Sequence, residues 1–269
     1  MCYNRYMNFS IIHGDCRDIM KTLDEKSIHL AVTSPPYYNA REYATWPTYQ
    51  DYLNFLEEVF TEVYRLLDDG RMFVINSSPV ISAPEKPSKE DSTRWPIPFH
   101  IFNICEKIGF KYIDDIQWVK PEGAAPNRNG AFFQLRKPVM YKPNTISEAI
   151  LVMQKPTCKV SQVLKKYTGD VLEKSLVPDG YERSNVWYLN PETKSKHSAP
   201  YPVALTDKIV QYYSFVGDTV LDPFNGSGTS GVSAVKADRS YVGCELHEEY
   251  VEMSRERIGK YDNALNALL

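Results

Sequence analysis

Residues 34–37 form the sequence Ser-Pro-Pro-Tyr and directly follow an apolar run that ends at Thr33. Proline has a fixed φ and no backbone N–H, so two prolines hold the chain rigid with its carbonyls exposed. The Oγ atom of Ser34 and the carbonyl of Pro35 can then accept hydrogen bonds from one –NH₂ group. Tyr37 offers a flat face for stacking. The motif predicts a site for a planar ring that carries an amino group, and the alternative is an ordinary Pro-Pro turn.

A second motif lies almost 190 residues further on, at Thr219-Val-Leu-Asp-Pro-Phe-Asn-Gly-Ser-Gly-Thr229. It predicts a strand ending at Asp222, a turn in which Gly226 and Gly228 allow positive φ, and a helix whose first N–H groups face a ligand. Glu245 ends the next apolar run, about 20 residues on, where an acid typically binds ribose hydroxyls. The turn reads F-x-G-x-G and lacks the third glycine of the dinucleotide fingerprint. An unliganded strand–turn–helix is the alternative.

Together the two motifs resemble those of the amino-directed DNA methyltransferases that use S-adenosylmethionine. That family carries [DNS]-P-P-[YFW] as its catalytic motif and F-x-G-x-G as its cofactor motif. Here the catalytic motif comes first, which resembles the β class of restriction-modification systems. The resemblance implies a catalytic set of Ser34, Pro35, Pro36 and Tyr37, and a cofactor-binding set of Asp15, Asp222, Phe224, Asn225, Gly226, Ser227, Gly228, Thr229, Glu245 and His197.

The resemblance also assigns roles within the cofactor set. Phe224 is expected to pack against S-adenosyl-L-methionine, while Asp222 and the backbone of residues 226–229 hold its amino-acid part. Glu245 is expected to bind the ribose, and Asp15 the adenine amino group. For His197 the alternative is a surface or structural histidine. No metal site is expected.

These residues need a sheet to bring them together. The alternation of apolar runs and helical patterns predicts an α/β fold. The resemblance specifies it as a Rossmann-like methyltransferase fold: a seven-stranded, mostly parallel sheet with helices on both faces, a circularly permuted motif order and strand order 3-2-1-4-5-7-6. The predicted strands are Phe9–His13, His29–Thr33, Met72–Asn76, Asp115–Val119, Ala149–Met153, Thr219–Asp222 and Tyr241–Glu245. The predicted helices are Tyr49–Leu67, Pro98–Ile108, Pro202–Ser214 and Glu248–Tyr261.

On that scheme the strands appear along the chain as 3, 4, 5, 6, 7, 1, 2. Strand 1, which ends at Asp222, then lies beside strand 4, which ends at Ser34. Ligands of open α/β sheets bind at the carboxyl ends of the strands, at such a switch point. We therefore expect one site built from both motifs, in a single methyltransferase domain over residues 1–269.

Composition narrows the class of protein further. The 269 residues include 43% hydrophobic and 24% charged residues, with a formal net charge of −3, which excludes a uniformly basic coat. The five cysteines form no C-x-x-C pair, which argues against a zinc ribbon or a disulfide framework. No apolar run approaches the roughly 18 residues of a membrane span, and the N-terminus lacks the apolar core of a signal peptide. We expect a cytoplasmic protein with no membrane partner.

DNA contacts must then use local patches. Segments 77–95 and 120–144 are predicted DNA-contact loops, and the basic segment 155–184 is the predicted target-recognition segment. The alternatives are solvated charge for the basic residues and ordinary packing for the aromatic ones. The predicted contact residues are Tyr38, Asn39, Trp46, Arg128, Arg136, Lys137, Lys165 and Lys166.

The resulting hypothesis is site-specific transfer of a methyl group from S-adenosyl-L-methionine to N4 of cytosine in double-stranded DNA. The target base must be flipped out of the duplex to reach such a pocket. In the family, S-P-P-Y is associated more with N4-methylcytosine, and D- or N-P-P-Y more with N6-methyladenine. The alternatives are an N6-adenine enzyme, a catalytically idle DNA-binding subunit and, less favoured by a motif suited to a planar amino group, a small-molecule or RNA methyltransferase. The family also suggests a homodimer and a cognate restriction endonuclease as partners.

Overall fold

The computed structural model describes residues 8–39, 45–82, 93–122, 143, 145–192 and 201–262. In these residues ten strands are found: β1 (Phe9–His13), β2 (Ile28–Thr33), β3 (Leu67–Ser77), β4 (Val80–Ser82), β5 (Thr93–Trp95), β6 (Lys111–Val119), β7 (Ser147–Gln154), β8 (Val186–Tyr188), β9 (Thr219–Asp222) and β10 (Ser240–Glu245).

Eight of these strands form one sheet in the order β1-β10-β9-β2-β3-β7-β6-β8, and β4 pairs with β5 separately. All neighbours in the large sheet are parallel except β7, which runs antiparallel to β3 and β6. In family numbering the first seven strands follow the predicted order 3-2-1-4-5-7-6. The predicted count of seven is wrong by one, because residues 186–188 add β8 as an edge strand beside β6.

The described helices are α1 (Cys16–Lys21), α2 (Tyr49–Leu66), α3 (Ile97–Ile108), α4 (Val160–Leu164), α5 (Gly169–Lys174), α6 (Val203–Tyr213), α7 (Thr229–Lys236) and α8 (Glu248–Gly259). The long helix α2 begins at a capping box in which Thr48 and Asp51 exchange hydrogen bonds. The sequence did not predict α1, α4 or α5, which are only five or six residues long. None of the helices in the described ranges is long and apolar enough to cross a membrane.

Two apolar clusters lie on opposite faces of the sheet. Residues of α1, α2 and α3 join one cluster, and residues of α6, α7 and α8 join the other. Alternate residues of a strand point to opposite faces, so Ala31 belongs to the first cluster while Leu30 and Val32 belong to the second. The helices thus cover both faces and leave the carboxyl ends of the parallel strands at one edge.

Candidate active site

The two sequence motifs meet at this carboxyl edge. Leu30 of β2 pairs with Val220 of β9, so the two motif-bearing strands are neighbours as predicted. Thr33, the residue before Ser34, donates a hydrogen bond from Oγ1 to Oδ1 of Asp222 at 2.7 Å. Both side chains are fully buried although 189 positions separate them. A direct bond therefore ties the Ser-Pro-Pro-Tyr motif to the F-x-G-x-G strand.

The carboxylate of Asp222 accepts four hydrogen bonds at the point where the two motifs meet. Besides Thr33, its carboxylate accepts hydrogen bonds from the Phe224 N–H at 3.0 Å, from Ser230 Oγ at 2.7 Å and from the Tyr201 hydroxyl at 3.1 Å. Burial raises the pKa of Asp222, and these donors oppose the shift. Each carboxylate oxygen already has two protein donors. The described contacts thus show that Asp222 positions the turn, and its contact with the amino-acid part of a cofactor stays a prediction.

The glycine turn is held by Glu245. The N–H of Gly226 donates to Glu245 Oε2 at 2.7 Å, and the N–H of His247 donates to Oε1 at 2.9 Å. Burial raises the pKa of Glu245. Gly226 and Gly228 have φ of 51° and 78°, as the sequence predicted. A Cβ atom on Gly228 would lie 2.8 Å from Ser254 Cβ, so this turn also requires glycine for its close contact with α8.

The remaining side chains of the turn contact the protein itself. Arg257 of α8 donates to the hydroxyls of Ser227 and Thr229, each at 3.1 Å. Asn225 accepts a hydrogen bond from the buried Tyr241 hydroxyl at 2.9 Å. These contacts fix the shape of the turn. The N–H groups of Gly226 and Gly228 already donate, to Glu245 and to the Asn225 carbonyl, so the N–H groups of Ser227 and Thr229 are the backbone donors of the turn that a ligand can use.

Asp15 lies beside this turn. The N–H of Gly14 donates to the Glu245 carbonyl at 2.8 Å, which brings the end of β1 next to the end of β10. The Asp15 carboxylate caps α1 through the Arg17 N–H at 2.9 Å, and it pairs with the Arg17 guanidinium at 2.8 Å. Hydrogen bonds from Arg17 lower the pKa of Asp15. The two acids predicted for the adenosine part are thus brought together, with Asp15 partly exposed.

An aromatic wall adjoins these acids. The ring of Phe224 lies 5.8 Å from that of Phe55 on α2, at an interplanar angle of 47°. The Arg17 guanidinium lies over the Phe55 ring, 5.3 Å from its centroid. Neither Phe55 nor Arg17 was singled out from the sequence. Phe55 belongs to the predicted helix over 49–67 and carries no motif, so only the packing reveals its place here.

The catalytic motif rests on a polar network that the sequence analysis missed. Asn76 at the end of β3 donates from Nδ2 to Glu148 Oε2 at 2.7 Å and approaches Ser34 Oγ at 3.4 Å. The Tyr37 hydroxyl donates to the same Glu148 oxygen at 3.0 Å. Lys120 forms an ion pair with the other oxygen of Glu148. Polar residues at the ends of predicted strands were the available signal, because the carboxyl ends of strands 4, 5 and 6 share one edge with the start of strand 7.

The described residues on either side of positions 40–44 contact one another and α2. The Tyr38 ring contacts Tyr49 edge-on at 5.1 Å, and Trp46 contacts Tyr52 at 4.9 Å. The side chain of Asn39 accepts from the Trp46 N–H at 2.8 Å and donates to the Trp46 carbonyl at 3.1 Å. These contacts fit the packing alternative for Tyr38 and Trp46, while contact of Tyr38, Asn39 and Trp46 with DNA stays a prediction.

The expected target-recognition segment, 155–184, begins at the amino edge of the sheet. Lys155 is buried and donates to the carbonyl of Tyr64 in α2 at 2.9 Å and to that of Leu67, the first residue of β3, at 2.7 Å. Lys166 forms an ion pair with Asp68 at 2.5 Å, at the amino end of β3. At about 3.3 Å per residue this end lies more than 20 Å from the catalytic end of the strand. The ion pair places Lys166 at the amino edge, and contact of Lys165 and Lys166 with DNA stays a prediction.

A buried cluster anchors this segment at the amino edge. Arg71 and Asp218 form an ion pair at 3.1 Å with both side chains almost fully buried, and Tyr167 hydrogen-bonds to both. The Tyr167 ring stacks on Phe215 at 4.3 Å. Burial raises the pKa of Asp218 and lowers that of Arg71, while their mutual attraction opposes both shifts. The segment around α4 and α5 is therefore part of the scaffold.

Two predicted DNA-contact loops do have ends at the catalytic edge. Trp95 stacks on Tyr49 at 4.2 Å and contacts Tyr38 at 5.4 Å, which places the end of loop 77–95 beside the catalytic motif. Arg94 donates to the Pro143 carbonyl at 3.0 Å, which joins this loop to the end of loop 120–144. The predicted site residues outside the described part of the chain are Arg128, Arg136, Lys137 and His197.

Comparison with known proteins identifies the family. A family model described as DNA methylase (N6_N4_Mtase) matches residues 28–256, which include both motifs and most of the sheet. This chain belongs to that DNA methylase family. The type II methyltransferase M.SmaI of Serratia marcescens is 31% identical over 92% of this chain and 90% of its own length. The resemblance drawn from the motifs is thereby confirmed.

Two further similarities extend the comparison. The type II beta methyltransferase M.BslI of a Bacillus species is 30% identical over 94% of this chain, and this chain spans 28% of the length of that relative. The solved structure of a candidate DNA modification methylase from Thermus thermophilus, complexed with S-adenosyl-L-methionine, is 30% identical. It has a TM-score of 0.77 and covers 95% of each chain. The Rossmann-like methyltransferase fold predicted from the sequence is confirmed.

Proposed function

We propose that this DNA methylase uses S-adenosyl-L-methionine to methylate N4 of cytosine at specific sites in double-stranded DNA. The observation that carries the proposal is the hydrogen bond between Thr33 and Asp222, which places Ser34 beside the F-x-G-x-G turn at the carboxyl edge. A serine at the first position of the Ser-Pro-Pro-Tyr motif favours cytosine, because the family associates that residue with N4-cytosine and Asp or Asn with N6-adenine.

The described residues fit S-adenosyl-L-methionine. The buried Glu245 carboxylate keeps acceptor capacity beyond its two N–H donors, which suits ribose hydroxyls. Asp15 offers an acceptor for the adenine amino group, and Phe224 offers an apolar face. The first turn of α7 presents backbone N–H groups that suit a carboxylate. The relative from Thermus thermophilus, solved with this cofactor, supports the same assignment.

On the target side, Ser34 and Pro35 orient the amino group. The Oγ atom of Ser34 and the carbonyl oxygen of Pro35 accept hydrogen bonds from its two N–H groups. This directs the nitrogen lone pair toward the cofactor side of the site. When bound, S-adenosyl-L-methionine supplies a sulfonium methyl group. Methyl transfer would form the N–C bond as the C–S bond breaks with its electrons left on sulfur, and the methylated amino nitrogen would then release one proton to water. Positioning and local electrostatics provide the catalysis, and the Tyr37 ring stacks on the flipped base.

The DNA surface in this proposal is the carboxyl edge. Loops 77–95 and 120–144 have their described ends at that edge, while residues 155–175 contact the opposite one. We therefore move sequence recognition from segment 155–184 to these two loops. Exchanging loop 120–144 with that of a relative is expected to change the methylated sequence, and exchanging residues 160–174 is expected to leave it unchanged. The opposite pattern would return recognition to the segment around α4 and α5.

The decisive experiment is product analysis. The full chain is incubated with unmodified genomic DNA and S-adenosyl-L-methionine, and the digested nucleosides are identified by mass spectrometry. N4-methylcytosine supports the proposal, N6-methyladenine supports the other target of the family, and no product at all supports an idle subunit. Ser34→Ala and Tyr37→Ala should each reduce transfer strongly while leaving cofactor binding unchanged. Normal turnover in both variants would remove the mechanism.

The proposal also covers the domain organisation of the chain and its protein partners. Residues 1–269 are taken as one methyltransferase domain, which the pairing of β1 with β10 across the chain supports. The resemblance to restriction-modification methyltransferases suggests a homodimer and a cognate restriction endonuclease. Sedimentation of the full chain tests the first. Protection of methylated DNA against nucleases of the source cells tests the second.

A further inference from the structure

Four polar residues form a row across the adjacent strands β2, β3, β7 and β6, and the row includes Ser34 of the catalytic motif. Each lies two positions along the chain from an apolar residue of its strand. The pairs are Ser34 with Val32 on β2, Asn76 with Val74 on β3, Glu148 with Ile150 on β7, and Lys120 with Trp118 on β6. All four apolar neighbours belong to the same buried cluster. Since alternate side chains of a strand point to the same face, the four polar residues lie on the face of this apolar cluster, at the carboxyl edge of the sheet.

Glu148 occupies the centre of this row. It is 5% exposed, and its Oε2 atom accepts hydrogen bonds from Asn76 at 2.7 Å and from the Tyr37 hydroxyl at 3.0 Å. Its Oε1 atom pairs with Lys120. We propose that Glu148 is a positioning residue for the methyl transfer. Through Asn76 it determines which hydrogen bonds Ser34 donates and accepts, and through the Tyr37 hydroxyl it holds the Tyr37 ring in place. This inference rests on the proposed function.

The polarity follows from the chemistry of the groups. An ionised carboxylate accepts hydrogen bonds and cannot donate them, so it orients the Asn76 amide with the amino group toward Glu148. Asn76 Oδ1 has no hydrogen-bond partner among the described residues, so the contacts of the amino group set this orientation. The second N–H of Asn76 then faces Ser34 Oγ at 3.4 Å. Ser34 thereby receives a donor from the protein side.

This donor decides what Ser34 offers to the base. With one lone pair directed at Asn76, the Ser34 hydroxyl keeps a second lone pair for an amino N–H. Its own proton is free to point at the ring nitrogen beside that amino group. If the Asn76 amide were reversed, its carbonyl would attract the Ser34 proton away from the base. Glu148 prevents the reversal, because a carbonyl facing a carboxylate is repelled.

Lys120 supplies the counterion of the buried Glu148 carboxylate. Its side chain is 10% exposed, and its ammonium group also lies 4.4 Å from the centroid of the Trp118 ring. A buried charge is costly unless it is paired, and a carboxylate paired in this way accepts hydrogen bonds without donating any. The ion pair therefore maintains the acceptor that Tyr37 and Asn76 require.

The first test is Glu148→Gln in the full chain, assayed with unmodified genomic DNA and tritiated S-adenosyl-L-methionine. Glutamine has nearly the same shape but one acceptor oxygen for three donors, so its own amino group forces Asn76 or Tyr37 to turn. We expect kcat to fall by about 10- to 100-fold, since misplacement by about 1 Å costs about 100-fold. The Kd of the cofactor and the KM for DNA should stay within about twofold. Wild-type kcat in Glu148→Gln would overturn the proposal.

A second set of variants separates positioning from folding. Tyr37→Phe keeps the ring and the ion pair, and we expect kcat to fall by about five- to tenfold. Combined with Glu148→Gln it should add little further loss, because the hydroxyl donates to Glu148; losses that multiply would refute that link. Tyr112→Phe is the matched control. It removes a hydrogen bond of 2.6 Å from a tyrosine to Asp115 on the same sheet and should leave kcat unchanged.

Two outcomes need their own controls. Should Glu148→Gln fail to fold because Lys120 loses its counterion, the double variant Lys120→Met/Glu148→Gln removes both charges and should fold with the same loss of kcat. A folded double variant with wild-type kcat would refute the role of Glu148. If the wild-type chain forms no methylated base, the proposed function fails. If it forms one and Glu148→Gln forms it equally fast, only the positioning role fails.

Discussion

The bond between the two motifs can be tested by Thr33→Val. Valine keeps the shape of threonine and removes only the hydroxyl that donates to Asp222 at 2.7 Å. A hydrogen bond to a charged group contributes about 1.5–3 kcal/mol, and Asp222 keeps three other donors. We therefore expect the free energy of unfolding to fall by about 2 kcal/mol. For a chain of this size that corresponds to a decrease in Tm of roughly 4–8 °C.

Thr33→Val should also lower kcat for methyl transfer. Thr33 precedes Ser34, so the lost bond frees the residue that orients the target amino group. A tenfold loss of kcat corresponds to about 1.4 kcal/mol of transition-state stabilisation, and we expect a loss of about that size. Urea unfolding followed by tryptophan fluorescence gives the stability. Incorporation of tritiated methyl groups into unmodified DNA gives kcat.

Thr206→Val is the control for this prediction. Thr206 is fully buried on α6, and its hydroxyl lies 2.6 Å from Ser233 Oγ on α7, in the layer of helices below the sheet. We expect this variant to lose about 1 kcal/mol of stability, as for a neutral hydrogen bond, with kcat unchanged. The reasoning is refuted if Thr33→Val unfolds within about 0.5 kcal/mol of wild type. It is also refuted if Thr206→Val loses as much kcat as Thr33→Val.

Three further outcomes are expected. Lys155→Met should lower the free energy of unfolding by about 1–3 kcal/mol in urea titrations, because it removes two hydrogen bonds to carbonyls at the junction of α2 and β3, and should leave the KM for DNA unchanged. Lys166→Ala should leave both the KM for DNA and its salt dependence unchanged, because Lys166 pairs with Asp68 at the amino edge. Burial raises the pKa of Glu245, and the protonated acid is a poorer acceptor. Calorimetry should therefore show cofactor binding weakening as the pH falls, beginning at a higher pH than for an ordinary glutamate. Glu245→Gln should show a flat profile, and a flat wild-type profile would contradict the ribose contact.

Much of the fold was predictable because its signals are local. The seven strands expected from apolar runs are all present, with bounds that differ by at most five residues. The order of the strands came from the family resemblance. The sequence did not reveal α1 or β8, because a six-residue helix makes fewer than two turns and a three-residue strand shows hardly one alternation of side chains. Their stability comes from neighbours in space, as when β8 pairs with the end of β6.

The site was predictable only where a motif marks it. Glycine and proline leave a signature in the sequence, so both motifs could be located and their meeting expected. Glu148 and Asn76 carry no such signature, because their partners are set by the register of β3 against β7. Charge was misleading for the same reason: Lys166 belongs to a basic segment, yet its counterion lies at the amino end of β3. Positive charge along a sequence does not tell which edge of a sheet it reaches.

The order of strands in the sheet, and not their order along the chain, assembles this site. The cofactor strands β10 and β9 lie beside the target strands β2 and β3, although the chain reaches β9 last but one. Joining Thr33 to Asp222 closes a segment of about 190 residues, but closure entropy grows only by about 0.6 kcal/mol for each doubling of loop length. Asn8 also donates to Asp262 at 3.1 Å, so the two ends of the described chain meet beside β1. Because the ends are adjacent in space, a permuted chain order loses no contact at the carboxyl edge. The site depends on the neighbours that Thr33, Asn76 and Glu148 find across the strands.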